Sequence, residues 1–444
     1  MAETRDEINR DKYDILIANA VYPDVKGIFE TQAQSPDSLK DTSFVVLDTN
    51  VLLLPYRTGR ESLQRIGETY KQLVDMGRLV IPGQVAREFA KNRPARLAEL
   101  FQQIIRKANV PNLQKGKYPL LESLDEYREL IRLEKEIDKR LEEYRKTING
   151  VAEQIRDWTW NDPVSLLYAE LFTENVLFDP AFTREEIIDD LNHRQLHNIP
   201  PGFKDASKED KGVGDILIWH TILELGRQHK KSILFVTGDE KADWYHQSEK
   251  QALYPRFELV DEYRRTSQGQ VFQIISFSRF LDLYGVSANV VQEVRTQEQL
   301  SIQRSAKHAQ EGYIVERAVY NWLKSRYPDA QIILRSRMSG HDYGVESDLE
   351  VIDEESGHVA VLVKYFRRLA GGQPRIHWIA DKFAQQSFIK VHNKLMLVLV
   401  ASDFEDAAML KRSAETLAIK IPELEVVVGY ITPDLEFLEL SEAV

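Results

Sequence analysis

Two spacings of apolar residues alternate along the first two-thirds of the chain. One is the short unbroken run: Phe44-Val45-Val46-Leu47 and Ile233-Leu234-Phe235-Val236 contain no polar position. A strand without a polar face is one covered on both sides, as in a parallel sheet. The other spacing is three or four residues, and Leu63, Ile66, Tyr70 and Leu73 predict an amphipathic helix over 60–75. The same reading predicts a second strand at 78–81, closed by Pro82-Gly83 before a helix that carries Glu88. It then gives a helix over 212–227, a third strand at 233–237 and a fourth at 271–275. Strands and helices in alternation predict a parallel α/β sheet.

Residues 1–42 read as a helical and loop preamble, with apolar Ile15-Leu16-Ile17 and a turn or helix start at Ser35-Pro36-Asp37-Ser38. Between the second and third strands, Leu124, Tyr127, Ile131, Leu133, Ile137, Leu141, Tyr144 and Ile148 recur mostly at helical spacing among dense charges. They predict one long helix or half of a helical hairpin, inside an insertion that ends at Pro200-Pro201-Gly202. Residues 91–150 hold 14 Lys or Arg against 10 Asp or Glu, a net +4. That excess suits either a solvated helix with internal ion pairs or a basic arm over a substrate. Residues 290–310 are polar and helical in pattern, with the composition of a connector. Beyond them a helix over 312–326, strands near 332–334, 349–352 and 359–364, a helix around 381–392 and a strand at 395–400 predict a second α/β unit.

Composition narrows the chemistry. With 444 residues, 43% hydrophobic and 29% charged, the chain is long enough for two or three domains. Its formal net charge of -12 means that any nucleic-acid contact must use local basic patches. No cysteine is present, which excludes disulfides, thiolate zinc sites and thiol nucleophiles and fits a reducing cytoplasm. The charged start Met1-Ala2-Glu3-Thr4-Arg5 does not read as a signal peptide, and no apolar run is long enough to suggest a membrane span.

Candidate chemistry lies where strands end in acids. Asp48 follows the first strand, and Asp239 follows the third within Thr237-Gly238-Asp239. Side chains at the carboxyl ends of neighbouring parallel strands converge. Converging carboxylates suit Mg²⁺ or Mn²⁺, and a pair of such ions can activate water and stabilise a leaving oxygen in phosphodiester cleavage. Glu88 lies one or two helical turns past the second strand, where it can lean over the same edge. Asp215 opens a helix after Gly212-Val213-Gly214, a position that also suits an ordinary helix cap. His193 and His197 are four apart, but Asn198 and Pro200 break a helix there, so they read as structural or surface histidines rather than zinc ligands. Trp158 and Trp160, near Asp162-Pro163, read as packing of the insertion onto the sheet.

Leu47-Asp48-Thr49-Asn50-Val51-Leu52-Leu53, Glu88, the stretch from Pro200-Pro201-Gly202 to Gly214-Asp215-Ile216-Leu217-Ile218-Trp219, and Phe235-Val236-Thr237-Gly238-Asp239-Glu240-Lys241-Ala242-Asp243-Trp244 together resemble the PIN-like nuclease domains of bacteria. The resemblance covers roughly 40–285, interrupted by the helical insertion. It implies a metal-binding catalytic pocket made by Asp48, Glu88, Asp215 and Asp239 for hydrolysing RNA or DNA, with Asn50 or Thr237 orienting an acid or water. Gly238 stands where this branch of the family often has an acid, so the outermost ligand could shift to Asp243 or Glu240. Lys204, Lys208 and Lys211 could meet substrate phosphates or lie on a plain solvated loop.

A second resemblance lies near the end of the chain. Gly340-His341-Asp342-Tyr343-Gly344-Val345-Glu346-Ser347-Asp348-Leu349-Glu350-Val351 followed by Val361-Leu362-Val363-Lys364-Tyr365 is similar to the restriction-endonuclease-like fold. The resemblance implies that Asp348 and Lys364 hold metal and water and that Glu316 supplies an accessory acid. Leu362 occupies a position where that family has Glu, Asp or Gln, so one ligand is missing. Arg335, Arg337, Lys364, Arg367, Arg368 and Arg375, with Tyr365 and Phe366, would suit a nucleic-acid groove or a scattered surface.

The expected organisation is a PIN-like domain over 1–290 with a helical insertion at about 91–200, a connector at 291–304 and a degenerate restriction-endonuclease-like α/β domain over 305–444. The expected activity is metal-dependent nucleic-acid cleavage in the cytoplasm, with Mg²⁺ or Mn²⁺ as cofactor. The two resemblances in one chain would suit a bacterial anti-phage defence or toxin effector. The alternatives are a nucleic-acid-binding or assembly protein with inactive nuclease folds, or DNA cleavage by the C-terminal domain. The sequence leaves open RNA or DNA, an activating protein partner and a homo-oligomer.

Overall fold

A computed structural model describes residues 14–30, 34–111, 113, 116–203, 212–238, 240–249, 251–334, 348–353, 357–366, 394–418 and 424–440. The chain divides into two compact units, Met1–Leu300 and Ser301–Val444.

In the first unit the strands are β1 (Phe44–Leu47), β2 (Leu79–Pro82), β3 (Leu177–Phe178) and β4 (Ile233–Val236). They are followed by the hairpin β5 (Tyr245–Ser248) and β6 (Gln251–Pro255), then β7 (Phe272–Ile275). Five of them form one parallel sheet in the order β3-β2-β1-β4-β7. Residues 44–47 and 233–236 are buried without alternation because helices cover both faces. Burial of one aliphatic side chain of this size stabilises the fold by about 1.5–3 kcal/mol, so the centre of the sheet is a rigid base. The helix Arg60–Asp75 turns Ile66, Tyr70 and Leu73 inward at the spacing read from the sequence.

The order of the strands decides where a site can form. From β1 the chain moves outward through β2 and β3, then returns to the other side of β1 for β4 and β7. The carboxyl ends of β1 and β4 therefore flank a topological switch point, where an open α/β sheet leaves a crevice.

The insertion begins inside a helix, because Gly83–Lys107 continues well past residue 91. It packs against the long helix Asp125–Arg156, which buries Ile148, Ala152 and Ile155. Two of the ion pairs on that helix, Arg132 to Glu129 and Arg132 to Glu136, are both 2.6 Å and solvent-exposed. Pairs of this kind contribute only about 0.2–0.5 kcal/mol each, so they shape the surface more than they stabilise the fold. The helices Pro163–Leu171 and Arg184–His197 complete the insertion. The second contains both His193 and His197 and stops at left-handed Asn198, the residue read from the sequence as a helix breaker.

The expected connector and the helix after it are one helix, Ala288–Arg326. Its first turns belong to the core of the first unit through Val290, Val291 and Val294. Glu293 accepts a 2.8 Å hydrogen bond from the Gly59 backbone and another from the Ser62 hydroxyl. Glu298 accepts the Phe277 backbone N–H at 2.7 Å. Burial raises the Glu298 carboxyl above its usual value, although hydrogen bonds from Ser278 and the Phe277 backbone oppose the shift.

The second unit holds β8 (Gln331–Leu334), β9 (Leu349–Asp353), β10 (Gly357–Phe366), β11 (Lys394–Ala401), β12 (Leu424–Ile431) and β13 (Phe437–Glu439). They form a mixed sheet in the order β13-β12-β11-β10-β9-β8, parallel only at β10-β11 and β11-β12. Val315, Val319 and Leu323 pack on one face and the helix Phe404–Ala418 on the other. The helix expected around 381–392 lies outside the described residues.

Candidate active site

Asp48 ends β1 and caps the helix Thr49–Leu53, its Oδ1 accepting the Thr49 N–H at 2.6 Å. Its other oxygen accepts two bonds, from Asn50 Nδ2 at 2.7 Å and from the Thr237 hydroxyl at 2.6 Å. Asn50 also reaches the Thr237 oxygen at 3.1 Å and accepts the Gly238 N–H at 2.8 Å. The turns after β1 and β4 are thus laced together across the switch point. A carboxylate fixed by three donors keeps one orientation without further reorganisation.

Thr49 extends the chain of contacts. Its hydroxyl donates to Glu88 Oε2 at 2.7 Å, while Gln84 donates to Glu88 Oε1 at 3.0 Å. Glu88 therefore leans back from the second turn of its helix to the end of β1. Gly214, buried in the first turn of the helix Val213–His229, lies against the same carboxylate: a Cβ there would collide with Glu88 Oε1. Asp215 follows, and because its helix leads into β4, its N-terminus lies at the carboxyl edge of the sheet. Asp215 Oδ2 is 3.6 Å from the Lys241 ammonium. Asp48, Glu88 and Asp215 are all half-buried, open enough for a ligand and sheltered enough to feel one another.

Asp243 has a different environment. It is fully buried, and its Oδ2 accepts the Gly202 N–H at 3.2 Å, tethering the end of the insertion. Asp239, Lys204 and Lys211 lie outside the described residues. Among the described residues, no three of His, Cys, Asp and Glu form a group that could hold a metal ion. The acids at the edge nonetheless offer carboxylate oxygens, the type hard divalent cations take, and the missing side chain at Gly214 leaves room for the Glu88 carboxylate.

Residues 44–259 match the family model described as PIN like domain. The matched span contains every acid just described and ends before β7, the last strand of the sheet. PIN-like domains are usually nucleases and generally use divalent metal ions, so the match supports a nuclease-type function. No curated protein and no solved structure gives a match to this chain.

Thr49, Gln84 and Lys241 escaped the sequence reading. Thr49 follows Asp48 directly, and Gln84 stands one helical turn before Glu88, so adjacency was the available signal. The contact of Lys241 with Asp215 spans 26 positions and had no signal at all.

Gly214 is a sensitive position, because Glu88 fills the space beside it. Replacing Gly with Ala inside a helix normally stabilises it by about 0.8–1 kcal/mol. For Gly214→Ala we expect thermal stability equal to or above wild type, while cleavage falls on the order of 100-fold as Glu88 is pushed from Thr49 and Gln84. Melting curves and single-turnover cleavage check it; activity within twofold of wild type would mean that the position of Glu88 does not matter.

In the second unit Asp348 Oδ2 accepts the Val363 N–H at 2.7 Å, beside Lys364 on β10. Asp348 and Lys364 share the face of β10 that carries Ala360 and Leu362, as strand alternation and the Glu350–Ala360 pairing require. The helix that carries Glu316 packs through Val315 and Val319 on the opposite face.

Proposed function

We propose that the chain is a metal-dependent nuclease that hydrolyses phosphodiester bonds of RNA or DNA at the carboxyl edge of its PIN-like sheet. The observation that carries the reading is the Thr49 bridge, which joins Asp48 and Glu88 at the switch point inside the matched span. In this proposal Asp48, Glu88, Asp215 and Asp239 would hold Mg²⁺ or Mn²⁺, which supplies an activated water and shields phosphate charge. Asn50 and Thr237 hold the Asp48 carboxylate in one orientation, and Thr49 fixes its spacing from Glu88. Lys204 and Lys211 would meet substrate phosphates. Asp243 serves the site as the tether of the Gly202 loop rather than as a ligand.

For residues 305–444 we propose a restriction-endonuclease-like fold without an independent active site. Leu362 in place of an acid supports this, as does the engagement of Asp348 by the backbone of β10. The proposal extends to a reducing, cytoplasmic setting, for which the absence of cysteine is the support, and to a defence or toxin role, which rests on the two resemblances in one chain.

The test is cleavage of labelled RNA, single-stranded DNA and duplex DNA with Mg²⁺ or Mn²⁺. We expect wild type and Lys364→Ala to cleave and Asp215→Ala to fail. Loss of cleavage in Lys364→Ala with full activity in Asp48→Ala would move the active site to the second unit. No cleavage by wild type of any substrate with either ion would favour a binding or assembly role.

A further inference from the structure

Lys241 is the one described cation paired with an acid of the candidate site: its Nζ lies 3.6 Å from Asp215 Oδ2, and both side chains are partly sheltered from water. The backbone beneath it is pinned. The Lys241 carbonyl accepts the N–H groups of Trp244 at 3.1 Å and Tyr245 at 3.0 Å, and the Ala242 carbonyl accepts Arg256 Nε at 2.9 Å. Trp244 is buried against Phe235 of β4, ring centroids 5.0 Å apart. The turn is therefore fixed, whereas the four-carbon side chain of Lys241 can change its partner without moving the backbone.

An ammonium and a divalent cation cannot both sit close to one carboxylate without repelling each other. We propose that Lys241 is the internal counter-ion of the acidic site: its ammonium holds Asp215 until a divalent cation takes that carboxylate, and is then released to the scissile phosphate. The handover rests on the metal-site reading above. It gives Lys241 two effects of opposite sign, since it opposes metal binding and assists cleavage once metal is bound. An ion pair of this exposure contributes up to about 1 kcal/mol, and coupling between two ligands of one group is reciprocal, so removing the ammonium should tighten metal binding about fivefold.

The experiment measures Mn²⁺ binding to the full chain without substrate, by calorimetry and by the loss of the free-ion paramagnetic resonance signal. Wild type, Lys241→Gln and Lys241→Arg are compared, followed by single-turnover cleavage at saturating Mn²⁺. Gln keeps most of the side-chain length and removes the charge; Arg keeps the charge. We expect Lys241→Gln to bind Mn²⁺ about fivefold more tightly and to cleave at least tenfold more slowly, with Lys241→Arg near wild type in affinity. A purely structural lysine would lower both together. Unchanged or weaker Mn²⁺ binding in Lys241→Gln overturns the counter-ion role, and tighter binding with wild-type cleavage overturns the handover to phosphate. If wild type binds no Mn²⁺, or Asp48→Asn binds it as well as wild type does, the metal-site reading itself fails.

Discussion

Asp48→Asn is expected to retain the fold and lose cleavage by roughly 10³ or more. The side chain stands where β1 ends and three donors meet it: the Thr49 N–H, Asn50 Nδ2 and the Thr237 hydroxyl. Asn has the same shape and keeps an acceptor for the cap, so the helix Thr49–Leu53 still has its start. What disappears is the negative charge that would hold a cation at the switch point. A bound metal contributes several kcal/mol of charge stabilisation, and each 1.36 kcal/mol is tenfold in rate, which gives the expected loss. Thr237→Val, which removes only an orienting hydroxyl, should cost about 10–100-fold. Single-turnover cleavage with far-ultraviolet circular dichroism as the folding control decides the matter. Asp48→Asn activity within tenfold of wild type would remove Asp48 from the mechanism.

The second large effect concerns the support of Glu88 rather than the site itself. Arg93, on the same helix as Glu88, is buried in a pair with fully buried Asp162, at 2.5 Å. Asp162 also accepts the Ser165 N–H at 3.0 Å, and the Arg93 guanidinium stacks 4.4 Å from the centre of the Trp160 ring. The insertion thereby clamps the helix that positions Glu88. Removing one partner leaves a buried charge uncompensated, so Asp162→Ala should destabilise the first unit by about 3–5 kcal/mol. Urea unfolding followed by tryptophan fluorescence would read this as a lower midpoint, and a loss below 1 kcal/mol would show that the pair is not a clamp. The pair also gives a pH signature. Burial alone would raise the Asp162 carboxyl, but the hydrogen bonds from Ser165 and Arg93 outweigh it and hold the group below the usual aspartate value of 3.8. A depressed acid contributes stability above its unfolded value and loses it as pH falls through the folded one. The difference in stability between wild type and Asp162→Ala should therefore be full at neutral pH and shrink below about pH 4.

The acids of the site and the pair that supports it were legible to different degrees. Asp48 could be read because a buried strand and the acid ending it are adjacent in sequence, and Glu88 because a helix of known phase follows a strand. Nothing in the sequence singles out Arg93 and Asp162 as a pair; 69 positions separate them, and only packing of the insertion takes both out of water. Trp160 was read as packing onto the sheet, but it is exposed, its ring lying over Arg93 and near Phe89. Asp243 was read as an alternative outer ligand, and only the fold shows that it is buried and accepts the Gly202 N–H. The polar composition around 290–310 suggested a linker, whereas Glu293 and Glu298 cap other helices of the first unit.

By itself, the sequence determined four of the five parallel strands, missing only the two-residue Leu177–Phe178, together with the main helices between them and the order of acids along the chain. These follow from local periodicity, which each segment carries alone. Only the tertiary structure decided which acids share a neighbourhood, that Thr49 joins Asp48 to Glu88, and that Lys241 faces Asp215. Such contacts depend on the strand order β3-β2-β1-β4-β7, which brings distant turns to one sheet edge and leaves no periodic mark on the residues involved.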